Sequence, residues 1–285
     1  MAQKIAIALL HGFRSQTEQF ANDVHRELMD RCIPQIGTDI VLRVVDWADV
    51  LSNTEKQLLQ RLSAVETLYY PQMRTFITEW MADALAYQQM PHDRRLYDCI
   101  HELFAQTMRD LARAAGENAP LCIIAHGLGS VIASNYIYDL QNAHKGLIAP
   151  NVLAQIADTP MERGETLSLF YTISSPIALW NMRYPNFGTP IAFPHPALPD
   201  HYRNLPTEWI NFYDPQDVFG YPLKALNAAH WETVTEDRPI NTGRVIDHLT
   251  PQSQRQYGTA KTILQPIADK VIEVWRSANQ VHAAR

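Results

Sequence analysis

The stretch that decides the fold is "IIAHGLGS", residues 123–130. An apolar run beginning at Leu121 stops at His126, and two glycines, Gly127 and Gly129, bracket Leu128. Beyond them Val131, Ile132, Tyr136 and Leu140 recur near helical spacing. The segment therefore predicts a buried strand over 121–125, a tight turn and a helix.

Working outward, residues 4–10 (KIAIALL) read as a strand ended by His11-Gly12, and Phe20, Val24 and Leu28 follow at four-residue spacing as an amphipathic helix. A second strand is predicted at 40–46 (IVLRVVD). The glycine-free stretch 52–115 carries Leu96, Ile100, Leu103, Met108 and Leu111 near helical spacing, and reads as a helical insertion of two or three helices. Strand 167–173 (LSLFYTI) ends at Ser174-Ser175-Pro176. Residues 176–206 hold seven of the eighteen prolines, which predicts a loop in place of helix or central strand. Its length marks it as a binding loop or lid.

A fifth strand, 208–213 (EWINFY), leads into "DPQDVFGYPL", and a weaker one is expected at 240–247 (INTGRVID). The last helix carries Ile267, Val271, Val274 and Trp275, and Pro266 should kink or restart it. This alternation predicts an α/β fold in a single domain, 1–285: a mostly parallel sheet of about six strands flanked by helices, with its site at the carboxyl ends of the strands.

Bulk properties agree. A chain of 285 residues with 46% hydrophobic content suits one large α/β core. A net charge of −6 without a basic run argues against a nucleic-acid partner. Cys32, Cys99 and Cys122 form no C-x-x-C pair and cannot all pair within one chain, so a reducing compartment is expected, with Cys122 in the core. The six-residue apolar stretch near the start is too short for a signal peptide, and nothing approaches a membrane span. A soluble, cytoplasmic protein is the expectation. No cofactor is implied: there is no P-loop pattern, and "HGLGS" is too short for a dinucleotide fingerprint.

Four segments in order, "LLHGF" (9–13), "IIAHGLGS", "SSPIALW" (174–180) and "NFYDPQDVFGYPL" (211–223), give the chain a resemblance to α/β-hydrolases of the esterase and lipase type. The resemblance spans most of the chain. In such enzymes a Gly-x-Ser-x-Gly turn holds a serine above the sheet edge, and backbone N–H groups of the next residue and of the first loop bind the oxyanion. Here Ala125-His126-Gly127-Leu128-Gly129 places Gly127 at the serine's position. By this resemblance the oxyanion donors are Leu128 and Phe13, with Gly12 as a further candidate. The acid after the fifth strand is Asp217 in preference to Asp214. The histidine is expected where Gln254 stands in "TPQSQRQYG", and nearby His248 is the alternative base.

Gly127 removes acyl-enzyme chemistry, and Gln254 carries no proton usefully near neutral pH. Losing the serine or histidine of a triad alone costs roughly a millionfold in kcat, and the second loss adds little. Glycine also takes a positive φ without steric cost, so the pair of changes favours natural decay over an engineered loss. Two functions follow: an impaired relative that binds a small acyl or carbonyl/carboxylate ligand or a protein partner, or an active carboxylic-ester hydrolase using an unconventional nucleophile or water activated by His248 with Asp217. Among substitute serines, Ser130 and Ser134 run into the helix, while Ser15 and Ser175 sit in loops with no base nearby.

Other clusters read more plainly. His195, Asp200 and His201 lack the fixed spacing of a metal site, so no metal is expected. Asp98 and His101 read as an i,i+3 surface pair. Trp180, Trp209 and Trp231 read as pocket or core residues.

Overall fold

The computed structural model describes residues 2–12, 17–50, 54–64, 69–89, 93–241, 257 and 260–283. Its elements run β1 (Ile5–Leu10), α1 (Thr17–Ile36), β2 (Ile40–Val45), α2 (Thr54–Ser63), α3 (Pro71–Ala86), α4 (Arg95–Ala115), β3 (Leu121–His126), α5 (Leu128–Gln141), α6 (Pro150–Leu153), β4 (Leu167–Ile173), α7 (Ile177–Asn181), β5 (Glu208–Tyr213), α8 (Ala228–Thr233), β6 (Glu236–Pro239) and α9 (Lys261–Ala283). The strands form one six-stranded sheet in the order β2-β1-β3-β4-β5-β6, and every neighbouring pair is parallel.

Strands β1, β3 and β4 are buried at every residue, as the interior of a parallel sheet covered on both faces requires. Alternation divides their side chains between two cores. Ala6, Ala8, Leu10, Ile123 and Ala125 pack with Ile100, Phe104 and Met108 of α4 and Ile132 and Tyr136 of α5. Ile5, Ile7, Leu9, Cys122 and Ile124 pack with Phe20, Val24 and Leu28 of α1 and Ile267 and Val271 of α9.

Topology then places the site. From β1 the chain moves outward to β2, then returns across β1 to β3, so the strand order reverses between β1 and β3. Such a switch point leaves a crevice at the carboxyl ends of the two strands. The register pairs Leu10 with Ala125, which sets His11-Gly12 beside His126-Gly127.

Three expectations are corrected. The sixth strand of the sheet is Glu236–Pro239, ahead of the expected 240–247: residues 240 and 241 fall outside it, and 242–247 lie outside the described residues. Its sequence, EDRP, shows no apolar alternation because it is a half-exposed edge, where a terminal proline is tolerated. The proline-rich segment 176–206 does contain helix: Pro176 caps α7 and Pro185 opens a short 3-10 turn, positions where a missing N–H costs little. Helix α9 runs through Pro266 without a break. Ile263, Leu264, Ile267, Ala268 and Val271 are all buried around it. Their burial outweighs the cost of an internal proline, about 3 kcal/mol.

Candidate functional site

The turn between β3 and α5 is built backbone against backbone. Gly127 has φ 51 and ψ −129, a conformation that side chains rarely adopt. Its N–H donates to the Ile173 carbonyl at 2.9 Å, tying the turn to the end of β4. A Cβ at Gly127 would lie 3.0 Å from the Gly12 Cα, one at Gly12 would lie 2.6 Å from His126 Nδ1, and one at Gly129 would lie 2.5 Å from the His11 carbonyl oxygen. Three glycines thus let the ends of β1 and β3 close on each other. Leu128 opens α5, so its N–H belongs to the first-turn donors that a helix leaves without an internal partner.

The serines beside the turn are spent on structure. Ser130 Oγ donates to the Gly127 carbonyl at 2.6 Å and lies 2.7 Å from Ser175 Oγ, which itself accepts the Ile177 N–H at 3.3 Å. Because Ser130 has given its only proton to the carbonyl, Ser175 is the donor in the serine pair. Both hydroxyls are thus engaged in hydrogen bonds of the turn and of the segment after β4. Ser15 lies outside the described residues.

After β5, Asp214 turns the chain: its carboxylate accepts the Gln216 N–H and its carbonyl the Asp217 N–H, both at 2.9 Å. Asp217, 5% exposed, then accepts the Phe219 N–H on Oδ1 at 2.9 Å. Its Oδ2 accepts the Tyr257 hydroxyl at 2.8 Å and the Ser174 hydroxyl. Gly220 makes room, since a Cβ there would meet Ser174 Cα at 3.0 Å. The Trp80 ring of α3 packs at a tilt against Phe219, centroids 4.9 Å apart, and brings the helical segment against this loop.

The structure thus brings Gly12, Gly127 and Leu128 together and sets Asp217 at the end of β5, linked through Ser174 to the end of β4. Phe13, His248 and Gln254 lie outside the described residues. The remaining sequence candidates do other work. His195 Nδ1 accepts the Ala197 N–H, Asp200 pairs with Arg203 at 2.7 Å, and no metal-ligand cluster occurs among the described residues. The pairing of Asp98 with His101 at the surface is incorrect. Asp98 pairs with Arg94 at 3.1 Å, whereas His101 is 1% exposed and bonds the Tyr87 hydroxyl at 3.0 Å. Both lie on one stripe of α4, but α5 covers the His101 end of it.

Two histidines that flank the crevice were not singled out, although each precedes a glycine in a quoted motif. His11 stacks on Trp47 with centroids 4.8 Å apart, and its ring holds the nearby Asp46 carboxyl below the usual carboxylate range. His126 lies between Phe20, at 4.8 Å, and Tyr257, at 5.3 Å. Burial drives its pKa down to about 3, and the same cause takes His101 to about 3.

These shifts make the fold acid-sensitive. Both rings are neutral when folded and take up a proton near the ordinary value of 6.5 when unfolded. The unfolded chain therefore binds more protons between about pH 6.5 and 3, so stability falls as pH drops through that window. Asp139, which burial raises from 3.8 to about 6, acts in the opposite sense and offsets part of one histidine. Burial also takes the half-buried His195 down to about 4, so the unfolding free energy in urea is expected to fall by about 2 kcal/mol between about pH 6.5 and 5.5. A flat profile there would show that the two rings are hydrated or partnered in the fold.

Comparison of the chain with protein-family models, with curated protein sequences and with solved structures found no match.

Proposed function

We propose that this is an α/β-hydrolase-like protein whose turn binds a carbonyl or carboxylate group without forming an acyl-enzyme. The strand order, the positive-φ turn after β3, the glycine loop after β1 and the acid after β5 support this reading. The observation that carries it is the 3.0 Å approach of the Gly12 Cα to the place where a side chain at position 127 would begin. A side chain at position 127 would meet the Gly12 backbone unless the two turns moved apart by a few tenths of an ångström. Leu128 and its neighbours still offer a helix N-terminus, whose N–H groups and dipole favour an anionic oxygen. Asp217 serves as a buttress, its oxygens engaged by Ser174, Tyr257 and Phe219.

Titration calorimetry with butyrate and octanoate tests the reading. Saturable binding is expected, weakened about tenfold in Gly127→Ala, whose methyl enters the gap between the two glycines. Circular dichroism checks that the variant is folded. Failure of either acid to saturate the wild-type protein would remove the ligand reading. It would leave a protein partner, a role for which the exposed row Met73, Ile77, Met81 and Leu85 on α3 offers a surface.

A further inference from the structure

A cavity of about 470 Å³ lies on the flank of α5, away from the turn, between α4, α7 and the segment around residues 184–190. Tyr97, Ser134, Asn135, Asp139, Trp209 and His230 contribute to its wall. Asp139 is eleven residues along α5 from Leu128, which puts it about 16 Å down the helix axis from the turn. The volume falls in the range of small-molecule sites.

Two buried acceptors that line this cavity have capacity to spare, and the buried Asn135 Nδ2 donor among the lining residues also has no partner among the described residues. His230 is 1% exposed, and its Nε2 has no hydrogen-bond partner among the described residues. Its tautomer follows from its neighbours. Asn227 Nδ2 donates to the carbonyls of Asn186 and Gly188 at 2.7 and 2.9 Å, so Asn227 Oδ1 is the atom 2.9 Å from His230 Nδ1. An amide oxygen only accepts, hence Nδ1 carries the proton and Nε2 presents a bare lone pair. Burial also lowers the His230 pKa, which keeps the ring neutral.

Asp139 is the second group. It is 5% exposed, and its Oδ2 accepts the Tyr97 hydroxyl at 2.7 Å. His101 Nδ1 stands 3.8 Å away, beyond hydrogen-bond reach. Arg94 and Arg183 lower its pKa at longer range, Asp98 opposes them, and Lys145 lines the cavity with its own ammonium held on Asn142 at 2.7 Å. One hydrogen bond is thin compensation for a buried carboxylate. Burial accordingly leaves it titrating at about 6. The wall thus offers two acceptors, Asp139 and His230, beside one unpartnered donor, Asn135 Nδ2, and Tyr97, Tyr138, Tyr184, Ile177 and Trp209 supply apolar and aromatic surface around them.

We infer that this cavity binds a small organic amine with an apolar body, its ammonium on Asp139 and a further O–H or N–H donor on His230. The assignment is independent of the turn at Gly127. It follows from a buried carboxylate and a buried lone pair sharing one aromatic-walled cavity.

Calorimetric titration with tyramine, phenethylamine and 4-hydroxyphenylacetate tests it. Tyramine should bind one site, phenethylamine more weakly, and the carboxylate not at all. Asp139→Asn should weaken tyramine at least about tenfold, and His230→Phe should abolish the difference between the two amines. Ser134→Leu narrows the cavity from a half-buried wall position, and should abolish amine binding while the melting temperature is retained, which covers the case of an Asp139 variant that fails to fold. No saturation by either amine, equal binding of the carboxylate, or tyramine affinity unchanged in a folded Asp139→Asn or Ser134→Leu protein would overturn the assignment.

Discussion

Replacing Asp217 with alanine is expected to lower the unfolding free energy by about 4 kcal/mol, a large fraction of the stability of a domain this size. The change removes the acceptor for the Tyr257 and Ser174 hydroxyls and the Phe219 N–H at once, all around a carboxylate 5% exposed. A buried donor left without a partner costs about 1–3 kcal/mol, and the two hydroxyls recover part of that by rotating. Asp217→Asn keeps the volume and one acceptor oxygen, so it should lose about half as much. Equilibrium urea unfolding separates the two variants. A loss below about 1 kcal/mol for alanine would show that the loop after β5 is not anchored through this side chain.

The second large effect is at Gly129, where intrinsic preference and packing point in opposite directions. As an early residue of α5 in an ordinary helical conformation, it should gain about 1 kcal/mol on becoming alanine. A Cβ there, however, falls 2.5 Å from the His11 carbonyl oxygen and 2.9 Å from Leu10 Cβ. The obstructing atoms sit at the end of β1 and just beyond it, close to the backbone, and cannot swing aside as the end of a side chain can. Gly129→Ala is therefore expected to destabilise the protein by about 3 kcal/mol despite the better helix former. Gly37→Ala is the control, with φ +59 but nothing within 4 Å of its Cβ, and should cost only the local backbone strain of about 1–2 kcal/mol. If thermal unfolding ranks Gly37→Ala as the more damaging change, the close contact between β1 and α5 is wrong.

Much of the fold was legible because the buried strands carry their own signal. IAIALL, LCIIAH and LSLFYTI are buried at every residue, and a continuous apolar run is how a strand covered on both faces reads. The edge strand EDRP lacked that signal because its partners are backbone and its side chains are half exposed. The restart expected at Pro266 fails for a related reason: burial of five neighbouring apolar residues keeps the helix continuous through it. His101 looked like a surface residue by spacing, and only tertiary packing, with Tyr87 after α3 and Tyr136 of α5, makes it a buried residue.

The turn itself was readable from its glycines, though what they touch was not. That Gly127 meets Gly12, and Gly129 meets Leu10 and His11, depends on β1 and β3 being neighbours, a fact of topology carried by no single motif. The cavity beside Asp139 was invisible for the same reason. Its wall draws on residues from Gln89 to His230, and no local pattern unites them.

The account turns on whether the turn at Gly127 lacks catalysis, and initial rates with p-nitrophenyl acetate, butyrate and octanoate test that most directly. The prediction is no turnover above the uncatalysed rate, with Asp217→Asn indistinguishable from the parent. Turnover by the parent protein that disappears in folded Asp217→Asn would contradict the account, and would require a nucleophile or an activated water at this crevice.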